Sequence, residues 1–177
     1  MERRKLLHEE IERTPLERIA DKPRHPLVIV VDNVRSLYNV GSIFRTCDAA
    51  LVRKLYLCGY TPYPPRKEIS KTSLSATESV PWEYAYDITD VLRRLKNEGL
   101  TIAALEHTTD SISCDDLRVE HFPLAVVVGN EVAGVSNEVL PFCDLAIEIP
   151  MHGVKQSLNV AVATGVLCYA CLRAGGW

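Results

Sequence analysis

A chain of 177 residues and 19.8 kDa, 47% hydrophobic and 24% charged, is long enough to bury about 70% of the surface its unfolded form exposes. That composition excludes a disordered polymer, and the longest apolar stretch carries Asn159 and Thr164 and so reads as a buried helix instead of a membrane span. The formal net charge of −3 counts against a nucleic-acid partner only on average: residues 33–71 hold seven bases and two acids, whereas residues 74–150 hold four bases and fourteen acids, an asymmetry that can steer a polyanion to one region.

The chain opens MERRKLLHEEIER, without the apolar segment of a secretory signal, which makes cytoplasmic residence the expectation. Residues 1–25 read as a helical arm. Leu6, Leu7 and Ile11 make an apolar stripe, and TPLE offers Thr14 as a cap, Pro15 at the first helical position and Glu17 closing a capping box. From residue 26 the pattern changes. Strand-like runs LVIVV (27–31), KLYLC (54–58), LTIAAL (100–105), LAVVV (124–128) and LAIEI (145–149) alternate with helical segments. Those segments cover 39–51, 87–98 with Gly99 as C-cap, a short piece from Ser136, and 157–173.

Near-continuous Val/Ile/Leu runs imply strands covered on both faces, and the helical pieces supply the cover. The expected fold is a three-layer α/β domain, residues 26–177, with a mostly parallel sheet. Residues 59–81 form the longest irregular stretch, whose tyrosines, prolines and bases suit a grip on RNA. Cys47, Cys58, Cys114, Cys143, Cys168 and Cys171 sit mostly among apolar neighbours and read as buried thiols. Zinc would need ligands at spacings the chain does not offer.

In an open α/β sheet, ligands sit beyond the carboxyl ends of the strands. At these ends the chain places unusual polar residues: DNVRSLYNVGSIFR after the first run, with Asn33, Asn39, Gly41 and Arg45; GNEVAGVS after LAVVV, with Gly129, Asn130, Glu131 and Gly134; and PMHGVKQSLNVAVA after LAIEI, with Pro150, Gly153, Ser157 and Asn159. Each alone is explained by a turn, a cap or a satisfied backbone group. Together they suit the enclosure of a flat heterocycle by backbone groups. Neither G-x-x-x-x-G-K-[ST] nor G-x-G-x-x-G occurs, which argues against a phosphate-cradling NTPase and a standard NAD enzyme.

The stretches DNVRSLYNVGSIFRTCDA, LAVVVGNEVAGVSNEVL and CDLAIEIPMHGVKQSLNVAVATGV occur in this order and resemble the three motifs of the SpoU (TrmH-like) branch of the SPOUT RNA methyltransferases. The resemblance runs from Leu27 to Arg173. It implies 2′-O-methylation of a ribose in tRNA or rRNA with S-adenosyl-L-methionine as cofactor. It also implies a C-terminal deep trefoil knot, with the cofactor in the knotted loops and the active site at a homodimer interface; general topology rules count against a knot. By matching positions, Arg45, Asn39, Glu131, Ser157 and Asn159 resemble the family's catalytic set. Gly129, Ile149 and Leu158 match positions surrounding the cofactor, and Met151 is a further candidate; no metal is implied. The expectation is a chain without the N-terminal RNA-binding domain of some rRNA-modifying members and without the C-terminal extension typical of tRNA-modifying ones, which leaves the substrate open. A second reading is a non-catalytic RNA-binding module on the same knotted fold.

Methyl transfer from a sulfonium to a hydroxyl needs oxygen, methyl carbon and sulfur in line, and stabilisation of the charge that develops on the oxygen. Arg45 suits the second need because a guanidinium presents several fixed donors. Its pKa above about 12 makes it a poor general base, so the expected role is polarisation of the 2′-oxygen, with a neighbouring RNA phosphate taking the proton. The structural alternative for Arg45 is an ion pair with Asp48 or Glu131.

Overall fold

The run HPLVIVVD makes β1 (His25–Asp32), whose last six residues are all buried, as required of a strand covered on both faces. The computed structural model describes residues 3–12 and 14–177. It adds β2 (Val52–Cys58), β3 (Trp82–Ala85), β4 (Thr101–Leu105), β5 (Ile112–Ser113), β6 (Leu124–Val128) and β7 (Leu145–Glu148). These join one seven-stranded sheet in the order β3-β2-β1-β6-β4-β7-β5. Every neighbouring pair is parallel.

The helices are α1 (Leu16–Ile19), α2 (Leu37–Ala49), α3 (Lys67–Ser73), α4 (Ala76–Ser79), α5 (Ile88–Asn97) and α6 (Val160–Gly175). Alternation along the strands assigns each to a layer. Leu27, Ile29 and Val31 pack with Phe44 and Cys47 of α2 and with Leu167 and Cys171 of α6. Val28 and Val30 point the other way, into a cluster with Val91, Leu92 and Leu95 of α5. Each such large apolar side chain contributes about 1.5–3 kcal/mol on burial.

Several local expectations are corrected. Residues 59–81 are irregular only in part, because α3 and α4 lie there with Ile69 and Ala76 buried against α2. Leu74 and Ser75, at φ 49° and 70°, break what is too short a helical pattern to read as one element. No helix starts at Ser136. Its N–H donates to Asp32 Oδ2 at 2.8 Å, and only a 3-10 turn, Leu140–Phe142, follows. The last helix begins at Val160 instead of residue 157, since Asn159 Oδ1 accepts from the N–H groups of Ala161 and Val162. The edge strands β3 and β5 were not expected; at four and two residues they carry little periodicity.

In the N-terminal arm the only helical pieces among the described residues are a turn at His8–Glu10 and α1. Pro15 is the N-cap of α1 and no side chain caps it, so the predicted box at Thr14 and Glu17 does not form. The Thr14 hydroxyl accepts from Lys22 Nζ instead. Leu6, Leu7 and Ile11 are exposed. Met1, Glu2 and Arg13 of the predicted arm lie outside the described residues.

The cysteines are free thiols, five buried and Cys143 half-buried. Burial pushes Cys58 and Cys171 up to about 12 and Cys143 up to about 11, leaving almost no thiolate at neutral pH. Iodoacetamide is therefore expected to label the native chain far more slowly than the urea-unfolded chain. Fast labelling of Cys58 or Cys171 in the native state, read by peptide mass, would contradict this packing.

Candidate active site

β6 lies beside β1 in the sheet, so the turn after β6 meets the start of α2. Ser36 caps α2, its Oγ accepting from Asn39 N–H. At the same helix end the Glu131 carboxylate accepts from the N–H groups of Arg35 (3.0 Å) and Ser36 (3.1 Å) and from Asn39 Nδ2 (2.9 Å). A carboxylate on unpaired amides at a helix N-terminus is favourably placed. Asn39 Oδ1 in turn accepts from Asn159 Nδ2 at 3.0 Å, and Asn159 Oδ1 caps α6. Because Glu131 can only accept, Asn39 must present its NH2 to it, which orients both amides of the chain.

Partial burial works to raise the Glu131 pKa, but the amides of Arg35 and Ser36 and the Asn39 side chain outweigh it and hold the group below its ordinary value. The folded pKa being depressed, the brace is fully present above the ordinary carboxylate value of about 4.3 and is lost as pH falls through the lower folded value. Glu131→Gln is expected to reduce the methyl transfer that the resemblance implies roughly tenfold, by turning an amide NH2 toward donors that need an acceptor. In the wild type, acid inactivation through this group should begin only below the usual carboxylate range; a pH–rate profile checks both.

The cleft beneath this chain has a volume of about 650 Å³, within the usual range for a cofactor site of about 300–1,000 Å³. Gly129, Glu131, Ile149, Met151, Ser157, Leu158 and Asn159 all line it, and Asn39 joins through its bonds to Glu131 and Asn159. Its rim is the turn closed by Asn130 and Gly134, which exchange backbone hydrogen bonds of 2.9 and 3.0 Å. The walls combine apolar residues such as Leu105, Val128 and Ile147 with residues 129–135 and with Ile149, Met151 and 157–159. That mixture fits an adenosyl group carrying a short charged chain.

Arg45 is not part of this cleft. It is exposed on α2 and lines a separate groove with Ser42, Lys71, Thr72, Gly165 and Tyr169. Among the described residues it makes no hydrogen bond or ion pair; Asp48 accepts from Ser79 instead and Glu131 is occupied as above. The charge asymmetry is also partly cancelled in space, since Arg53 pairs with Glu98 and Lys54 with Glu83. Arg66, Lys67 and Lys71 remain exposed on or beside α3.

Two cleft residues were missed by the sequence reading. Glu106 accepts from the N–H of Val135 (3.0 Å) and of His107 (2.9 Å), bracing the 129–135 turn from below. The His107 ring lies 3.0 Å from the Gln156 carbonyl and 3.4 Å from Glu148, tying the 149–159 segment to the end of β4. A signal existed: EH follows LTIAAL directly, at a strand end where ligands are expected.

Residues 26–169 match the model of the SpoU rRNA Methylase family. The chain is 34% identical over 161 residues to the tRNA (guanosine(18)-2′-O)-methyltransferase of Aquifex aeolicus, covering 89% of this chain and 74% of that one. Its structure is similar to that of the A. aeolicus TrmH/SpoU tRNA modifying enzyme, with a TM-score of 0.79, 33% identity, and 90% and 81% of the two chains covered. It is also similar to the AdoMet-bound rRNA methyltransferase of Sinorhizobium meliloti, with a TM-score of 0.79 and 27% identity. That match covers 92% of this chain and 61%, less than two thirds, of the other.

Proposed function

This chain belongs to the SpoU rRNA Methylase family, and from that membership we propose how its residues carry out S-adenosylmethionine-dependent 2′-O-methylation of a ribose in tRNA or rRNA. The observation that carries the reading is the single cleft in which seven of the nine motif residues converge, with the Glu131–Asn39–Asn159 chain at its edge. Residues 26–177 act as the methyltransferase domain and residues 1–25 as an arm.

Gly129, Ile149, Met151 and Leu158 would hold the cofactor, which when bound would supply a methyl group activated on a sulfonium, the carbon–sulfur bond giving way to an oxygen–carbon bond and the hydroxyl proton leaving. Ser157, Asn39 and Asn159 fix the ribose against the cleft, and Glu131 fixes Asn39. Such positioning supplies up to about 7–11 kcal/mol of the barrier. Arg45 donates to the 2′-oxygen as charge develops there, keeping its own proton, while an adjacent RNA phosphate accepts the proton released.

Arg45 does not line the cofactor cleft of its own chain, and in this reading it meets the cleft of a second copy. We propose a homodimer through the outer face of α2 and α6, where Val162, Val166 and Tyr169 make an exposed stripe at helical spacing next to the Arg45 groove. An aliphatic and aromatic stripe of that kind favours burial. A trefoil knot in the C-terminal part is proposed from the family membership. Cytoplasmic action is proposed from the RNA substrate; no described helix is long and apolar enough to cross a membrane.

The test is incubation with methyl-labelled S-adenosylmethionine and separated tRNA and rRNA pools, followed by mapping of protected riboses. Label on a 2′-oxygen is expected. RNA binding without label would favour the non-catalytic module.

A further inference from the structure

A second cleft, of about 560 Å³, opens at the carboxyl ends of β1, β2 and β3 and has no lining residue in common with the cofactor cleft. The wall between them is Asn130, whose Nδ2 donates to the Asn33 carbonyl and to the Tyr60 hydroxyl. Tyr60 is 61% exposed yet held at both ends, with its own N–H donating to Asn33 Oδ1 at 3.1 Å. Tyr84 is anchored by its hydroxyl on the Gly59 carbonyl. Tyr86 is 85% exposed and makes no hydrogen bond among the described residues.

The charges in this cleft select what can enter. Among the described residues its only ionisable acids are Asp87 and Glu138, and neither Lys nor Arg lines it. Asp87 is spent on capping α5, accepting from the Thr89 N–H and hydroxyl. Glu138 is exposed and makes no hydrogen bond or ion pair among the described residues. A phosphate would meet carboxylates without a cation, whereas a flat heterocycle meets aromatic faces and an acceptor. Unpaired RNA bases are taken up in this manner, stacked on aromatic rings and read on their Watson–Crick edges.

We propose that this cleft receives one unstacked guanine of the substrate RNA, its ring against Tyr60 and Tyr86 and its Watson–Crick edge toward Glu138. The edge assignment follows from chemistry. A carboxylate only accepts, and guanine alone of the four common bases offers two adjacent donors there, N1–H and the N2 amino group. Adenine and cytosine set a donor beside an acceptor, and uracil sets one N–H between two carbonyls. Tyr60 is tied to Asn130, the neighbour of Glu131, so a base seated here is held at a fixed offset from the active site. The proposal rests on the RNA methyltransferase reading.

The experiment compares two short single-stranded RNAs, an all-uridine oligomer and the same oligomer with one central guanine, by fluorescence anisotropy on the full chain. The wild type is expected to prefer the guanine-containing strand. Tyr86→Ala is expected to weaken its binding roughly ten- to hundredfold, Tyr86→Phe to retain it, and Glu138→Gln to abolish the preference for guanine while S-adenosylmethionine binding is unchanged. Equal wild-type affinity for the two RNAs, or wild-type affinity in Tyr86→Ala, overturns the subsite. Absence of methyl transfer by the wild type to any tRNA or rRNA pool overturns the underlying reading instead.

Discussion

Arg45→Ala is expected to lower methyl transfer to RNA by about 10²–10³-fold, the loss seen when a preorganised donor to a developing oxyanion is removed, with S-adenosylmethionine affinity unchanged. The guanidinium is exposed, has no partner among the described residues and lines a groove apart from the proposed cofactor cleft. Its removal therefore leaves both the fold and that cleft intact. Arg45→Lys is expected to recover little, because a point charge does not reproduce the planar fork. A fall in cofactor affinity or in thermal stability comparable to the fall in rate would instead assign Arg45 a structural role. The proposed dimer adds a sharper expectation: when Arg45→Ala and a cofactor-site variant are assembled as a mixed pair, one composite site carries both intact halves and activity partly returns. No recovery in a mixed pair shown to be folded and dimeric would remove the trans arrangement.

Gly129→Ala is that cofactor-site variant, and it is expected to weaken S-adenosylmethionine binding by about 10²-fold, the cost of misplacing a site by roughly 1 Å. A Cβ at Gly129 would stand 2.2 Å from backbone atoms of Gly134 and Val135, so the turn forming the cleft rim must move. The neighbouring bonds oppose that movement. Asn130 and Gly134 exchange backbone hydrogen bonds, and Asn130 Oδ1 accepts from Val132 and Ala133 N–H at 2.9 Å. Val135 N–H is in addition held by Glu106. Gly153→Ala is the contrast, since nothing lies within 4 Å of a Cβ there and affinity is expected to stay near the wild type. Calorimetric titration of both variants decides; wild-type affinity in Gly129→Ala would show that the turn yields at no cost.

How far the site was legible depended on where each residue sits. Gly129 and Ser157 could be placed because each follows an apolar run that reads locally as a strand end, whereas Ile149, Met151 and Leu158 are named only through the family resemblance. Glu106 and His107 occupy the same kind of place after β4, but a lone acid and a lone His after a strand are ordinary surface residues until their partners are seen. Those partners, Val135 and Gln156, are 29 and 49 residues away. Glu131 reads as a residue that orients Arg45 or neighbouring loops; the structure bonds it to the start of α2 and not to Arg45. Its partners are amides of residues 35 and 36, and no side-chain pattern marks a backbone N–H as the ligand of a carboxylate almost a hundred positions later.

By itself the sequence determined a parallel α/β sheet with covered faces, the helices that cover it and the identity of the polar residues at its strand ends. Those properties follow from short-range periodicity and turn chemistry, which act between near neighbours in the chain. Only the tertiary structure decided that β6 pairs with β1 and that α6 returns against α2. These pairings bring Asn39 to Glu131 and Asn159, and leave Arg45 on an outer face away from the cleft. Strand neighbours are selected by burying both faces of the central strands at once, a condition on the whole molecule that no local stretch of sequence expresses.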